Sequence, residues 1–363
     1  PTRRSSDLAE VARLMAREDV KGMAVAVIDG GEVVHVGAYG LANVAEQRPL
    51  RTDTVMYGAS LTKAAFAYFV MQLVDEGRFD LDRPLASYLP RPLPEYEDFA
   101  DLAGDDRWRA LTARNVLNHT TGFANFRWLE EDQKLRFHTD PGTRYGYSGE
   151  GFYILQLTLE EGLGLDVGAE MQRRVFDRFG MKRTSMQWRA DFRPNLADGY
   201  GEDGSFEPHD ERSSVSAAGS MDTTIADQAR LWAGIVRGDG LSAGSRAELT
   251  RAQFPIMSAH QFPTLLPGGD PRGPAIGLSA GIGVVTFNDA SGPMFFKGGH
   301  NDWTGNMVIC QEARRRCVIF YGNDVRAELI YPELANFILG ESAMPWWWGG
   351  WGHDAISGVA PAP

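Results

Sequence analysis

The chain has 363 residues, 43% of them apolar, with 36 basic and 48 acidic side chains and a formal net charge of −12. That length buries a large core, most naturally as two packed lobes. The acidic balance excludes nucleic acid, which is bound through clustered Lys and Arg, and the lack of a long apolar run excludes a membrane-spanning helix.

The chain opens at Pro1 with neither a methionine nor an apolar targeting segment, so any secretion signal is expected to be absent or already removed. Compartment and oligomeric state are not legible. "SSDLAEVARLMARE" reads as a capped surface helix, with Asp7 and Glu10 as its box and Leu8, Val11, Leu14 and Met15 turned inward. "GMAVAVIDGGEVVHVGAYG" reads as a hairpin turned at Asp29, Gly30 and Gly31. A helix over 60–76, stopped by Gly77, follows. From about 79 to 215 the pattern is helical, broken by Gly- and Pro-containing loops, and "TTIADQARLWAGIVRG" is a further helix. Irregular chain is expected from there to about 274. Strand patterns then return in "GLSAGIGVVTF", "MFFKGG", "WTGNMVIC" and "RCVIFYGND", before a terminal helix at "PELANFIL".

Strands at both ends with helices between predict an α/β fold with an inserted helical lobe. The expected division is a discontinuous α/β domain over 1–78 and 275–345, a mainly helical domain over 79–274, and a tail over 346–363. The tail is Trp-rich, then Ala/Pro-rich; its aromatic part should dock on the body and its end should be disordered. Cys310 and Cys317 flank a hairpin and are expected to be free buried thiols, with a cross-strand disulfide as the alternative that would suggest export.

The helix after Gly58 is apolar on nearly every side and therefore belongs in the interior. Yet its first turn carries Ser60 and Lys63, three residues apart and on one face. Only five of the 36 basic residues are lysines: Lys21, Lys63, Lys134, Lys182 and Lys297. Arg never gives up its proton, whereas a desolvated Lys does. A helix N-terminus and burial both disfavour ammonium, so Lys63 is a candidate base for the Ser60 hydroxyl. An S-x-x-K match alone is weak, since about one is expected by chance in an ordinary chain. The bland alternative is a capping Ser and a Lys that reaches out to water.

Two further stretches carry chemistry. In "PGTRYGYSGEGF", Tyr147 precedes an apolar segment, and a phenol near ammonium groups can relay protons, although Tyr145, Tyr147 and Tyr153 also read as packing aromatics. In "FFKGGHN", two glycines after a lysine let a substrate approach the strand. A backbone N–H there could pair with that of Ser60 as an oxyanion hole.

Taken together and in this order, these stretches resemble the serine β-lactamase and penicillin-recognising superfamily. The match is to its class C β-lactamase-like branch, which includes family VIII carboxylesterases, D,D-peptidases and D-aminopeptidases. "LTARNVLNHTTGF", "FGMKRTSM" and "AAGSMDTTIADQARLWAGIVRG" extend the likeness over most of the chain, from about Gly22 to Gly340. The resemblance implies a β-lactamase-like fold, an antiparallel sheet flanked by helices. It implies Ser60 as acylated nucleophile, Lys63 as its partner and Tyr147 as the tyrosine of Y-x-N. Lys297, Gly298 and Gly299 stand at the family's K-T-G, so the oxyanion donors would be the N–H groups of Ser60 and His300. Gly149 stands where the family has Asn, which helps hold a substrate amide; Gly298 similarly lacks the hydroxyl of Thr. Gly149 is read either as a loss of amide recognition or as a glycine held at positive φ.

The expected activity is hydrolysis of small acyl esters through an acyl-enzyme. β-Lactamase or D-amino-acid peptidase is the alternative, and a non-hydrolysing penicillin-binding sensor is the alternative of another class. The partner is a small-molecule ester or amide. No cofactor is expected, nor a catalytic metal, since no H-E-x-x-H or Cys/His cluster occurs. Two imitations are set aside. "GLSAG" at Ser279, with Asp289 and His300 downstream, mimics a nucleophile elbow but leads into a strand where an elbow leads into a helix. "WGG" at Trp348 lies beyond the terminal helix. His119 is read as a structural loop histidine.

Overall fold

The computed structural model describes residues 3–352, with side chains from Ala9 onward. Nine strands form one antiparallel sheet: β1 (Gly22–Asp29), β2 (Glu32–Asn43), β3 (Arg48–Pro49), β4 (Phe254–Pro255), β5 (Ser279–Ala280), β6 (Val285–Asp289), β7 (Gly292–Asn301), β8 (Thr304–Gln311) and β9 (Arg316–Gly322). Their spatial order is β3-β2-β1-β9-β8-β7-β6-β5-β4, so the N-terminal strands join the C-terminal ones at the β1–β9 ladder. Gly30 and Gly31, at φ +60° and +83°, supply the left-handed pair that a two-residue hairpin requires.

Alternation along the strands sorts side chains into two apolar layers. Ala24, Ala26 and Ile28 of β1, with Val308, Ile319 and Tyr321, face a large core built on α2 (Leu61–Asp75). Met23, Val25, Met307, Ile309, Val318 and Phe320 face α1 (Arg3–Arg17), α7 (Tyr331–Leu339) and the Trp tail. The remaining helices used below are α3 (Ala113–Leu117), α4 (Glu150–Leu157), α5 (Ile225–Arg237), α6 (Ala243–Thr250) and α8 (Trp346–Gly349). In α2 every residue from Leu61 to Leu73 is buried, as its all-round apolarity requires. α5 is capped by the Thr224 side chain and closed by Gly238 at φ +80°, and it packs on β1, β2 and β9.

Several expectations change. α1 begins upstream of Asp7, which therefore is not its cap; Glu10 instead pairs with Arg13 one turn along. The segment expected to be irregular contains α6, whose N-cap Ser242 accepts from the Ser245 N–H. The two cysteines are joined, not free: the β8–β9 register sets Cys310 directly opposite Cys317, with Cα atoms 4.1 Å apart and an S–S bond of 2.05 Å. The hairpin register decided this, and pairing across strands is invisible in one sequence. The aromatic part of the tail docks as expected, with Trp348 and Trp351 buried on the sheet and Trp348 Nε1 donating to Ser258 Oγ at 3.2 Å. The Ala/Pro-rich end lies outside the described residues.

Candidate active site

Ser60 is the residue before the first turn of α2, in helical backbone, and Ala59 before it sits at φ +47°. That conformation is costly for a residue with a Cβ. Surrounding bonds hold it: Gly58 N–H donates to the Met221 carbonyl at 2.8 Å, and Thr62 Oγ1 donates to the Ala59 carbonyl at 2.6 Å. Ser60 itself is half-buried, facing the cleft.

Lys63 is completely buried. Its Nζ donates to Ser60 Oγ at 2.9 Å and to the Ala218 carbonyl at 2.5 Å. Burial drives the ammonium well below lysine's ordinary range, and the charge of Lys297 adds to the effect; no carboxylate opposes it. The amine therefore gives up its proton far more readily than a free lysine, and it does so beside the Ser60 hydroxyl. Tyr147, also buried, lies between the two lysines: Nζ of Lys63 is 5.1 Å and Nζ of Lys297 5.0 Å from its ring centre. Lys297 Nζ donates to the Tyr147 hydroxyl at 3.2 Å and to the Gly298 carbonyl at 2.7 Å. Burial pushes Lys297 down to about 7. It pushes the Tyr147 phenol well above its usual range, against an opposing hydrogen-bonding interaction with Ser60. The phenol keeps its proton, and its oxygen accepts from Lys297.

β7 runs past Ser60. A Cβ on Gly299 would lie 3.1 Å from Ser60 N and 3.0 Å from the Gly58 carbonyl, so the bare backbone is what permits this approach. The His300 side chain points elsewhere, with Nδ1 3.0 Å from Glu328 Oε1. Gly298 faces the opposite side of the strand, where a Cβ would meet Trp351 at 3.2 Å. A Thr hydroxyl there would point into the Trp tail, so the expectation that Gly298 removes a substrate contact is corrected by strand alternation.

Gly149 precedes α4 in ordinary helical backbone, φ −76° and ψ −28°, so the positive-φ alternative is excluded. What keeps a side chain out is Phe126: a Cβ on Gly149 would come within 2.2 Å of its ring. Phe126 carries no signature in the sequence, because nothing local couples it to position 149. His119 was read as structural, and its task is specific. Its ring stacks on Tyr147 at 4.2 Å, its Nδ1 accepts from the Ser148 N–H at 3.1 Å, and its carbonyl accepts from the Gly146 N–H at 2.8 Å. It clamps the Tyr147 loop from three sides.

The structure thus gathers Ser60, Lys63, Tyr147, Lys297 and Gly299 around one point. It leaves Ser279 out: that residue sits in β5, with Oγ donating to the Gly277 carbonyl at 3.1 Å, while His300 is engaged with Glu328.

Residues 9–335 match the Beta-lactamase family. Esterase EstB of Burkholderia gladioli is 34% identical over 139 residues, covering 36% of this chain and 33% of its own. A D-aminopeptidase of Brucella anthropi is 29% identical over 170 residues, 46% of this chain and 32% of its own. The fold is that of D-alanine carboxypeptidase AmpC from Burkholderia cenocepacia, at TM-score 0.73 and 19% identity, with 93% of this chain and 98% of that one covered. The chain spans between 31% and 50% of the length of the curated relatives it matches.

Proposed function

The chain belongs to the Beta-lactamase family, and from that premise we propose that it is a serine hydrolase that cleaves small acyl esters through an acyl-enzyme on Ser60. The observation that carries this reading is a fully buried lysine without a carboxylate partner, 2.9 Å from the Ser60 hydroxyl. Ser60 Oγ forms a bond to the ester carbonyl carbon as its proton passes to Lys63 Nζ. The N–H groups of Ser60 and His300 stabilise the carbonyl oxygen as it gains charge. The ester C–O bond breaks, and the leaving oxygen takes a proton from the Tyr147 hydroxyl, which Lys63 then re-protonates. Lys63, neutral again, deprotonates the water that releases the acid and restores Ser60.

An ester is favoured over a β-lactam or peptide because residue 149 itself has no side chain with which to hold a substrate amide. A site without that hydrogen bond gives up much of its discrimination for amides. The test is kcat/KM for nitrophenyl butyrate and a chromogenic cephalosporin, with the ester expected to lead by about 100-fold or more, a range typical of one lost polar contact. Mass spectrometry after a penicillin should find no lasting adduct; a persistent one marks a sensor. Preference for the cephalosporin would hand the lead to the β-lactamase reading.

A pH profile tests the base. Lys63 must be neutral, so kcat/KM falls on the acid side as it gains its proton. Below about 7 Lys297 is charged and helps to hold Lys63 down. Removing that charge in Lys297→Met lets the Lys63 pKa rise, and the acid limb should move to higher pH. An unmoved limb would show that the two lysines are not coupled.

A further inference from the structure

We propose that Phe126 sets acyl specificity: its ring, admitted by the missing side chain of Gly149, forms an apolar shelf that selects plain aliphatic or aryl acyl groups and rejects acylamino ones. The proposal rests on Ser60 being the nucleophile and names the substrate class that nucleophile accepts.

The ring fills the volume a side chain at 149 would claim, 2.2 Å from where its Cβ would be. It is half-buried, stacked on Trp128 at 4.0 Å with planes 11° apart, and backed by Tyr153 at 6.0 Å. Its centre lies 5.9 Å from Lys63 Nζ, so the shelf borders the reacting atoms. The oxygens of Asn125 and the charges of Arg127 and Glu150 around it are already engaged. Asn125 accepts from the Gly149 N–H through both its carbonyl, at 2.8 Å, and its side-chain oxygen, at 3.1 Å. Arg127 is paired with Glu150 at 2.8 Å. An acylamino group laid here would lose its water and face an aromatic ring, and an amide so stranded is expensive.

An apolar groove lies on the Tyr147 side of the site. About 680 Å³ in volume, it is lined by Ala124, Leu129, Phe262, Pro263 and Leu265. Phe262 reaches Tyr147 with ring centres 5.1 Å apart, and two polar side chains on the lining, Glu130 and His138, are paired with each other. With the Phe126 ring, the groove is the apolar surface on which the proposal lays an alkyl chain.

The test is kcat/KM for nitrophenyl acetate, butyrate and hexanoate. In the wild type the hexanoate/acetate ratio should be about tenfold or more, from burial of added methylenes. Phe126→Ala should reduce that ratio to within about threefold of one, with Phe126→Leu intermediate, since Leu restores part of the apolar area. Gly149→Asn in the Phe126→Ala background should gain cephalosporin hydrolysis over Phe126→Ala alone. If Phe126→Ala does not fold, Phe126→Leu carries the comparison. A wild type indifferent to chain length, or a ratio unchanged in the folded variants, would overturn the proposal. Fluorophosphonate labelling separates the two levels: label on Ser60 with an unchanged ratio overturns the shelf alone, whereas label elsewhere overturns the nucleophile beneath it.

Discussion

Ser60→Ala is expected to remove ester hydrolysis, lowering kcat by at least about 10³-fold, as loss of a covalent nucleophile does elsewhere. Water should not take its place efficiently, because Lys63 Nζ is held beside an oxygen fixed at that point. The control is Ser279→Ala. Ser279 lies in β5 with its hydroxyl committed to the Gly277 carbonyl, so its loss should leave kcat/KM within about twofold, as for a residue apart from the reacting groups. Steady-state kinetics with nitrophenyl butyrate and fluorophosphonate labelling give the answer together. Retained turnover in Ser60→Ala would sink the assignment, whatever the fold.

Lys63→Arg should be nearly as damaging as Lys63→Ala, each costing on the order of 10²–10⁴ in kcat, the usual worth of positioned proton transfer. A guanidinium keeps its proton at any pH the protein survives. The site also leaves it no room: Lys63 has no exposed surface, and its Nζ is hemmed by Ser60, the Ala218 carbonyl and the rings of Tyr147 and Phe152. Retained thermal stability distinguishes lost chemistry from lost folding. If Arg kept even a tenth of the rate, charge alone would be the requirement, and the proton-transfer role of Lys63 would fall.

The Ser60–Lys63 pairing was legible because its elements are local. An all-apolar helix must be buried, and a lysine in its first turn is buried with it. The strand alternation of the C-terminal third was equally plain, and it correctly put Ser279 in a strand setting unlike an elbow. Tyr147 and Lys297 were harder: each is one ordinary residue in its own stretch, and only their order along the chain, matched to a family, joined them to Ser60. Position 149 shows the limit. The missing Asn was visible, but both proposed reasons for glycine concerned residue 149 itself, while the cause is a ring 23 residues earlier in the chain.

By itself the sequence determined the local elements, the sheet-forming ends, and the identity of the serine and lysine that meet within one helical turn. These follow from periods of two and of 3.6 residues and from the cost of burying an amine. Tertiary structure alone decided the rest: that Cys310 stands opposite Cys317, that α5 packs on the sheet, that His119 stacks on Tyr147, that Gly298 faces Trp351 and that Phe126 occupies the space beside Gly149. Each depends on which of two faces a residue turns to a neighbour distant in sequence. Register and packing fix that choice, and no local pattern encodes it.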